Sequence, residues 1–147
     1  MFEYFLVFSK EQDTELTKMS LGVIYEYMIE NIDVLNEHGF IIEKSLEPRD
    51  AFIRGNINLI KRIINNIFSN LLKYAEINQP VYIKMITDEN NLKLVFKNQK
   101  KNTTNYIESN QIGLKSVQQM LKIHDGSFMV VDDENTFNVT ITIPLMK

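Results

Sequence analysis

Residues 57–76, INLIKRIINNIFSNLLKYAE, constrain the fold more than any other stretch of the chain. On a 3.6-residue wheel, Ile60, Ile63, Ile64, Ile67, Leu71, Tyr74 and Ala75 share one broad face. Lys61, Arg62, Asn65, Ser69, Lys73 and Glu76 share the other. A helix with so wide an apolar stripe must lie against a core, and Asn56 is placed to cap its first turn. Asn66 and Asn70 are one turn apart, and Asn70 falls where the two faces meet. Tyr74 follows a turn later, with Lys73 pointing to nearly the same side. An asparagine at such a border is ordinarily solvated and a tyrosine there half-buried. Together, however, an amide oxygen, a ring and an ammonium along one rim suit a hard cation, a base and phosphates.

The remaining segments predict what covers that stripe. Leu21, Ile24, Tyr25, Met28, Ile32 and Leu35 keep helical spacing across 20–37, and Gly39 suits a helix end. Short strands are expected at 40–46 and 51–54. Val81, Ile83 and Met85 alternate with polar partners, and Leu92, Leu94 and Phe96 mark a returning strand after the turn at 88–91. The polar run KNQKKNTTNYIESNQ, 97–111, reads as a mobile loop. A third helix is expected at 113–124, with Leu114, Val117 and Leu121 inside and Asp125-Gly126 ending it. Strands at 128–131 and 136–143 close the chain. This order predicts an α+β fold, a two-layer sandwich of one mixed, mostly antiparallel sheet with three helices on one face.

At 147 residues with 44% hydrophobic and 24% charged residues, the chain fits one soluble domain. Its net charge of −3 argues against an electrostatic nucleic-acid binder. Without cysteine there is neither a disulfide nor a thiolate zinc site. No run is long and apolar enough to span a bilayer, so the fragment is not expected to insert in a membrane. The start, MFEYFLVFSKEQ, lacks a basic region and a cleavage site, so it does not read as a signal peptide. Its aromatic residues Phe2, Phe5 and Phe8 predict a helix that packs on something, for instance in a homodimer. His38 and His124 are too scattered for a metal cluster and read as structural or solvated.

The order of elements and the motif NIFSNLLKYA together resemble the ATP-binding catalytic domain of sensor histidine kinases, the Bergerat fold shared with DNA gyrase. The motif is similar to the family's N-x-x-x-N-A-x-K-Y box. The tail IHDGSFMVVDDENTFNVTITIPL resembles its closing hairpin. The resemblance covers 18–147 and implies that 1–17 closes a preceding dimerisation and phosphoacceptor helix. It implies ATP and Mg2+ as cofactors, with Asn70 as the metal ligand, Asn66 and Lys73 as catalytic groups and Tyr74 at the adenine. Asn98, Gly113 and Leu114 are the further cofactor-binding candidates, Gly113 at the start of a helix where backbone N–H groups meet phosphate. ATP would lie between the 66–74 helix and the sheet, beneath the 97–111 loop, whose Lys100 or Lys101 could assist Lys73.

The sequence departs from the family at D-x-G-x-G, whose aspartate reads the adenine amine. Lys97 stands at that position and both glycines are missing. The implied function is transfer of the γ-phosphoryl of ATP to a histidine outside this fragment, on the kinase's own dimerisation domain. A response regulator would be the onward partner. The expected location is the cytoplasmic side of a membrane-anchored receptor. The alternative is a degenerate module with weak or no nucleotide binding, acting through protein–protein contact.

Overall fold

The computed structural model describes residues 14–47, 50–101 and 106–147, with backbone alone for 106–113. The chain runs β1 (Thr17–Ser20), α1 (Leu21–Glu37), β2 (Ile42–Leu46), β3 (Phe52–Gly55), α2 (Ile57–Tyr74), β4 (Val81–Thr87), β5 (Asn91–Gln99), α3 (Tyr106–Ile123), β6 (Ser127–Asp132) and β7 (Thr136–Pro144). Five strands form a sheet in the order β2-β4-β5-β7-β6, parallel between β2 and β4 and antiparallel elsewhere. The expected mixed, mostly antiparallel sheet with three helices is present. One difference is a separate two-stranded sheet of β1 and β3, paired from Thr17–Gly55 to Ser20–Phe52. β1 is too short and polar, as TKMS, to show an alternating pattern.

α1 and α2 are bounded by chemistry that their own residues supply. Asn56 keeps an extended backbone, and its Oδ1 accepts the Leu59 N–H at 3.1 Å, which caps α2. Ser20 does the same for α1 by accepting the Gly22 N–H. α1 ends with the Phe40 N–H on the Leu35 carbonyl and the Gly39 N–H on the Asn36 carbonyl, both 3.0 Å. Gly39 sits at φ 97°, the left-handed conformation this ending needs. α2 stops at Tyr74, and Ala75, expected inside the helix, is extended.

Two packed faces meet in the core. α2 contributes Leu59, Ile60, Ile63, Ile64, Ile67, Phe68 and Leu71, all buried. The sheet contributes the alternate residues Val81, Ile83 and Met85, then Leu92, Leu94 and Phe96, then Val139, Ile141 and Ile143. Full burial of such side chains contributes about 1.5–3 kcal/mol each relative to exposure, so packing rather than helix propensity holds α2 in place. The other sheet face, with Tyr82, Lys84 and Lys97, remains exposed.

The segment 97–111 differs from its expected form. β5 continues through Gln99, pairing Asn98 with Phe137 and Gln99 with Thr136. α3 begins at Tyr106, about two turns before the expected start. Those first turns are too polar to show the apolar period that identifies a helix. The expected helix at 2–8 lies outside the described residues.

Candidate functional site

The C-terminal half of α2 and the end of β5 lie side by side because the backbone joins them. The Glu76 N–H donates to the Gln99 carbonyl at 2.9 Å, and the Lys101 N–H to the Tyr74 carbonyl at 3.0 Å. Ala75 and Lys100 form an antiparallel bridge between these two bonds. On the far side the Lys100 N–H reaches the Asn135 carbonyl at 2.8 Å, tying in the β6–β7 turn. Below, the Phe68 and Phe96 rings meet edge to face, 5.7 Å between centroids.

This framework holds Asn70 and Asn98 in the walls of one narrow pocket between α2, β5 and β7. Phe96, Phe137 and Val139 supply its apolar lining. Its volume is about 10 Å³, the space of roughly one water. Asn98 is 3% exposed, and its Nδ2 donates to the Gln99 carbonyl at 2.9 Å. Asn66 is half-buried one turn before Asn70, Tyr74 is half-buried against the core, and Lys73 is exposed in the last turn of α2. Leu114 packs on the core from α3.

Three sequence readings need correction here. Lys97 does not face the pocket. Strand alternation turns it to the open side of the sheet, beside Tyr82 and Asn138, and gives the pocket-facing position to Asn98. Gly113 does not start a helix; it lies inside α3, about two turns from Tyr106, where backbone N–H groups serve the helix. The Lys100 ammonium is engaged with Asp132 at 2.6 Å rather than held ready for phosphate.

The histidines are structural or solvated, as expected. His124 is 3% exposed and satisfied at both ring nitrogens. Nε2 accepts the Asn56 N–H at 3.1 Å, so Nδ1 carries the proton that it shares with the Met120 carbonyl at 2.8 Å. His38 is exposed and pairs with the Val34 carbonyl.

Comparison with known proteins places this geometry. The chain is 27% identical over 142 residues to the sensor histidine kinase YrkQ of Bacillus subtilis strain 168. The match covers 96% of this chain and 33% of YrkQ, so the chain spans about a third of that relative's length. Among solved structures, the catalytic domain of histidine kinase ThkA, in a nucleotide-free form, superposes with a TM-score of 0.70 at 15% identity. That superposition covers 88% of this chain and 97% of ThkA's domain. The fold is that of a histidine kinase catalytic domain. The Acinetobacter baumannii histidine kinase AdeS agrees, with a TM-score of 0.68 at 13% identity over 90% of this chain and 68% of its own. No protein-family model matches the chain. In this histidine kinase fold, α2 carries the N-x-x-x-N motif and β5 places Asn98, its next-to-last residue, beside it. No helix among the described residues is long and apolar enough to cross a membrane.

Proposed function

We propose that the chain is the ATP-binding catalytic module of a sensor histidine kinase. It would pass the γ-phosphoryl of ATP to a histidine on a preceding dimerisation domain, and a response regulator would receive it in turn. The observation that carries this reading is the convergence of Asn70 and Asn98 on one pocket, within a fold whose solved relatives are histidine kinase catalytic domains. Residues 1–17 would close the dimerisation helix and could bring two copies together. The module would work on the cytoplasmic side of a membrane-anchored receptor.

The donor set suits Mg2+. A half-buried carboxamide oxygen at Asn70 is a hard neutral ligand, and Mg2+ commonly takes one or two protein oxygens with phosphates and water completing its shell. When bound, the ion would neutralise charge on the phosphates. Asn66 would orient the polar end of the site, and exposed Lys73 would attract the phosphates at its rim. Tyr74 would lie along the base. Asn98 would accept the adenine amine through Oδ1, in the place where the family's pattern has aspartate. Catalysis on such a site is positioning and charge stabilisation.

A second reading, a degenerate module that acts by protein contact, is favoured by the 10 Å³ pocket, which must widen before a base can enter. A thermal melt separates the two. A ligand at about 100 times its Kd stabilises by about 2.7 kcal/mol, or about 5–10 °C for a domain of this size. The kinase reading expects that rise with millimolar Mg-ATP, and its magnesium-dependent part disappears in Asn70→Ala. No rise in the unaltered protein selects the degenerate module.

A further inference from the structure

β6, SFMVVD, closes one side of the five-stranded sheet and pairs with β7 alone among the described residues. Residues of an antiparallel pair alternate between exchanging both backbone bonds with the partner strand and turning both away from it. The Asp133 N–H donates to the Thr136 carbonyl at 2.9 Å, and this bond fixes the phase. Stepping back by alternate residues, Val131, Met129 and Ser127 bond to Asn138, Thr140 and Thr142 of β7. The opposite side of β7 agrees. The Leu145 N–H on the Asn90 carbonyl and the Lys100 N–H on the Asn135 carbonyl assign Phe137, Val139 and Ile141 to β5. Phe128, Val130 and Asp132 therefore turn their N–H and C=O groups to the open edge.

Sheet edges are ordinarily guarded by charge, proline or a bulge. β2, at the other edge, carries Glu43 and Lys44. β6 pairs with β7 in unbroken register, and its one charge, Asp132, is held by Lys100 at 2.6 Å. Met129 is 66% exposed and Val131 44% on its outer side, high values for apolar residues in a strand. Phe128 and Val130 pack against the core on the inner side.

We propose that β6 pairs antiparallel with β6 of a second copy of this chain, about a two-fold axis through Val130. The register follows from the outward groups. Val130 opposes Val130 of the second copy, and Phe128 opposes its Asp132. Each such pair exchanges two backbone hydrogen bonds, so every outward group of β6 is satisfied. Between them Met129 meets Val131 of the second copy at the closely spaced positions, where side chains touch and the exposed apolar surface is covered. Sliding one strand by two residues leaves edge groups unpaired and separates Met129 from Val131. No like charges face each other, because Asp132 lies opposite a phenylalanine. One strand pair is a small interface, so association is expected near about 0.1 mM. The proposal does not depend on nucleotide binding.

The test uses the full chain, labelled with 15N. Raising its concentration from about 20 μM to about 1 mM is expected to double the mass in sedimentation equilibrium. The same change should slow hydrogen exchange at the amides of Phe128, Val130 and Asp132. Met129→Lys with Val131→Lys places like charges opposite each other and should weaken association by about tenfold or more. Mixing that variant with Met129→Glu, Val131→Glu should restore it, which a merely structural role would not do. Both residues are exposed, so these variants are expected to fold. Val130→Pro removes an outward donor and no bond to β7, and should also abolish association. A monomer at about 1 mM would overturn the proposal. So would a mass increase that survives the lysine variant, which would place the contact elsewhere. Amides already protected in the dilute monomer would do the same, because the chain itself would then cover the edge.

Discussion

Lys97 and Asn98 are neighbours in β5 and lie on opposite faces of the sheet. Lys97 is exposed beside Tyr82, while Asn98 is buried in the pocket that Asn70 also lines. On the proposed reading, the residue that meets the adenine amine is therefore Asn98. An ionised acceptor forms a hydrogen bond roughly twice as strong as a neutral one. Asn98→Asp is predicted to tighten Mg-ATP by about fivefold, a gain of about 1 kcal/mol, and to lower the stability of the nucleotide-free protein because a carboxylate is buried. Lys97→Asp should leave affinity within about twofold, since exposed charges outside a site contribute little. Isothermal titration of both variants decides the assignment, and tighter binding in Lys97→Asp rather than Asn98→Asp would reject it.

That assignment was within reach of the sequence. Leu92, Leu94 and Phe96 set the inward parity of β5, and two more residues of the same parity reach Asn98. The strand's period, unlike the family motif, places Lys97 on the open face and Asn98 in the pocket. The α2 stripe, its Asn56 cap and the Gly39 ending were legible because each is a local pattern. The α3 start at Tyr106 was not, because its first turns carry no apolar period. Pairing across the fold was illegible too. That Lys100 meets Asp132 and that β1 pairs with β3 depend on segments far apart in the chain.

His124 joins two helix ends, and its loss has a definite cost. Its Nε2 accepts the backbone N–H of Asn56, the residue whose side chain caps α2. His124→Ala would leave that N–H and the Met120 carbonyl without the ring and would open a void beside the core. An unpaired donor costs about 1–3 kcal/mol before the void is counted. Urea denaturation is expected to show a loss of about 2–4 kcal/mol, against about 1 kcal/mol for Asn56→Ala, which removes the cap and an exposed Nδ2 bond to the Glu15 carbonyl. Equal losses in the two variants would mean that the ring contributes no more than the cap.

Gly126 is required by space rather than by backbone angle. α3 ends with the Asp125 N–H on the Lys122 carbonyl and the Gly126 N–H on the Leu121 carbonyl, and Asp125 takes the left-handed conformation at φ 55°. Gly126 then passes so close to β7 that an added Cβ would sit 2.6 Å from the Thr142 carbonyl oxygen. That oxygen belongs to a strand paired on both sides, so it cannot retreat without disturbing the sheet. Gly126→Ala is predicted to destabilise by about 1–3 kcal/mol, as overpacking against a rigid neighbour does. Asp125→Gly, by contrast, relieves a left-handed residue with a side chain and should be neutral or stabilising by up to about 1 kcal/mol. Melting curves of the two variants should therefore move in opposite directions, or Asp125→Gly should stay in place while Gly126→Ala falls. A fall in both, with Asp125→Gly the larger, would show that the aspartate side chain rather than the tight approach to Thr142 holds this corner.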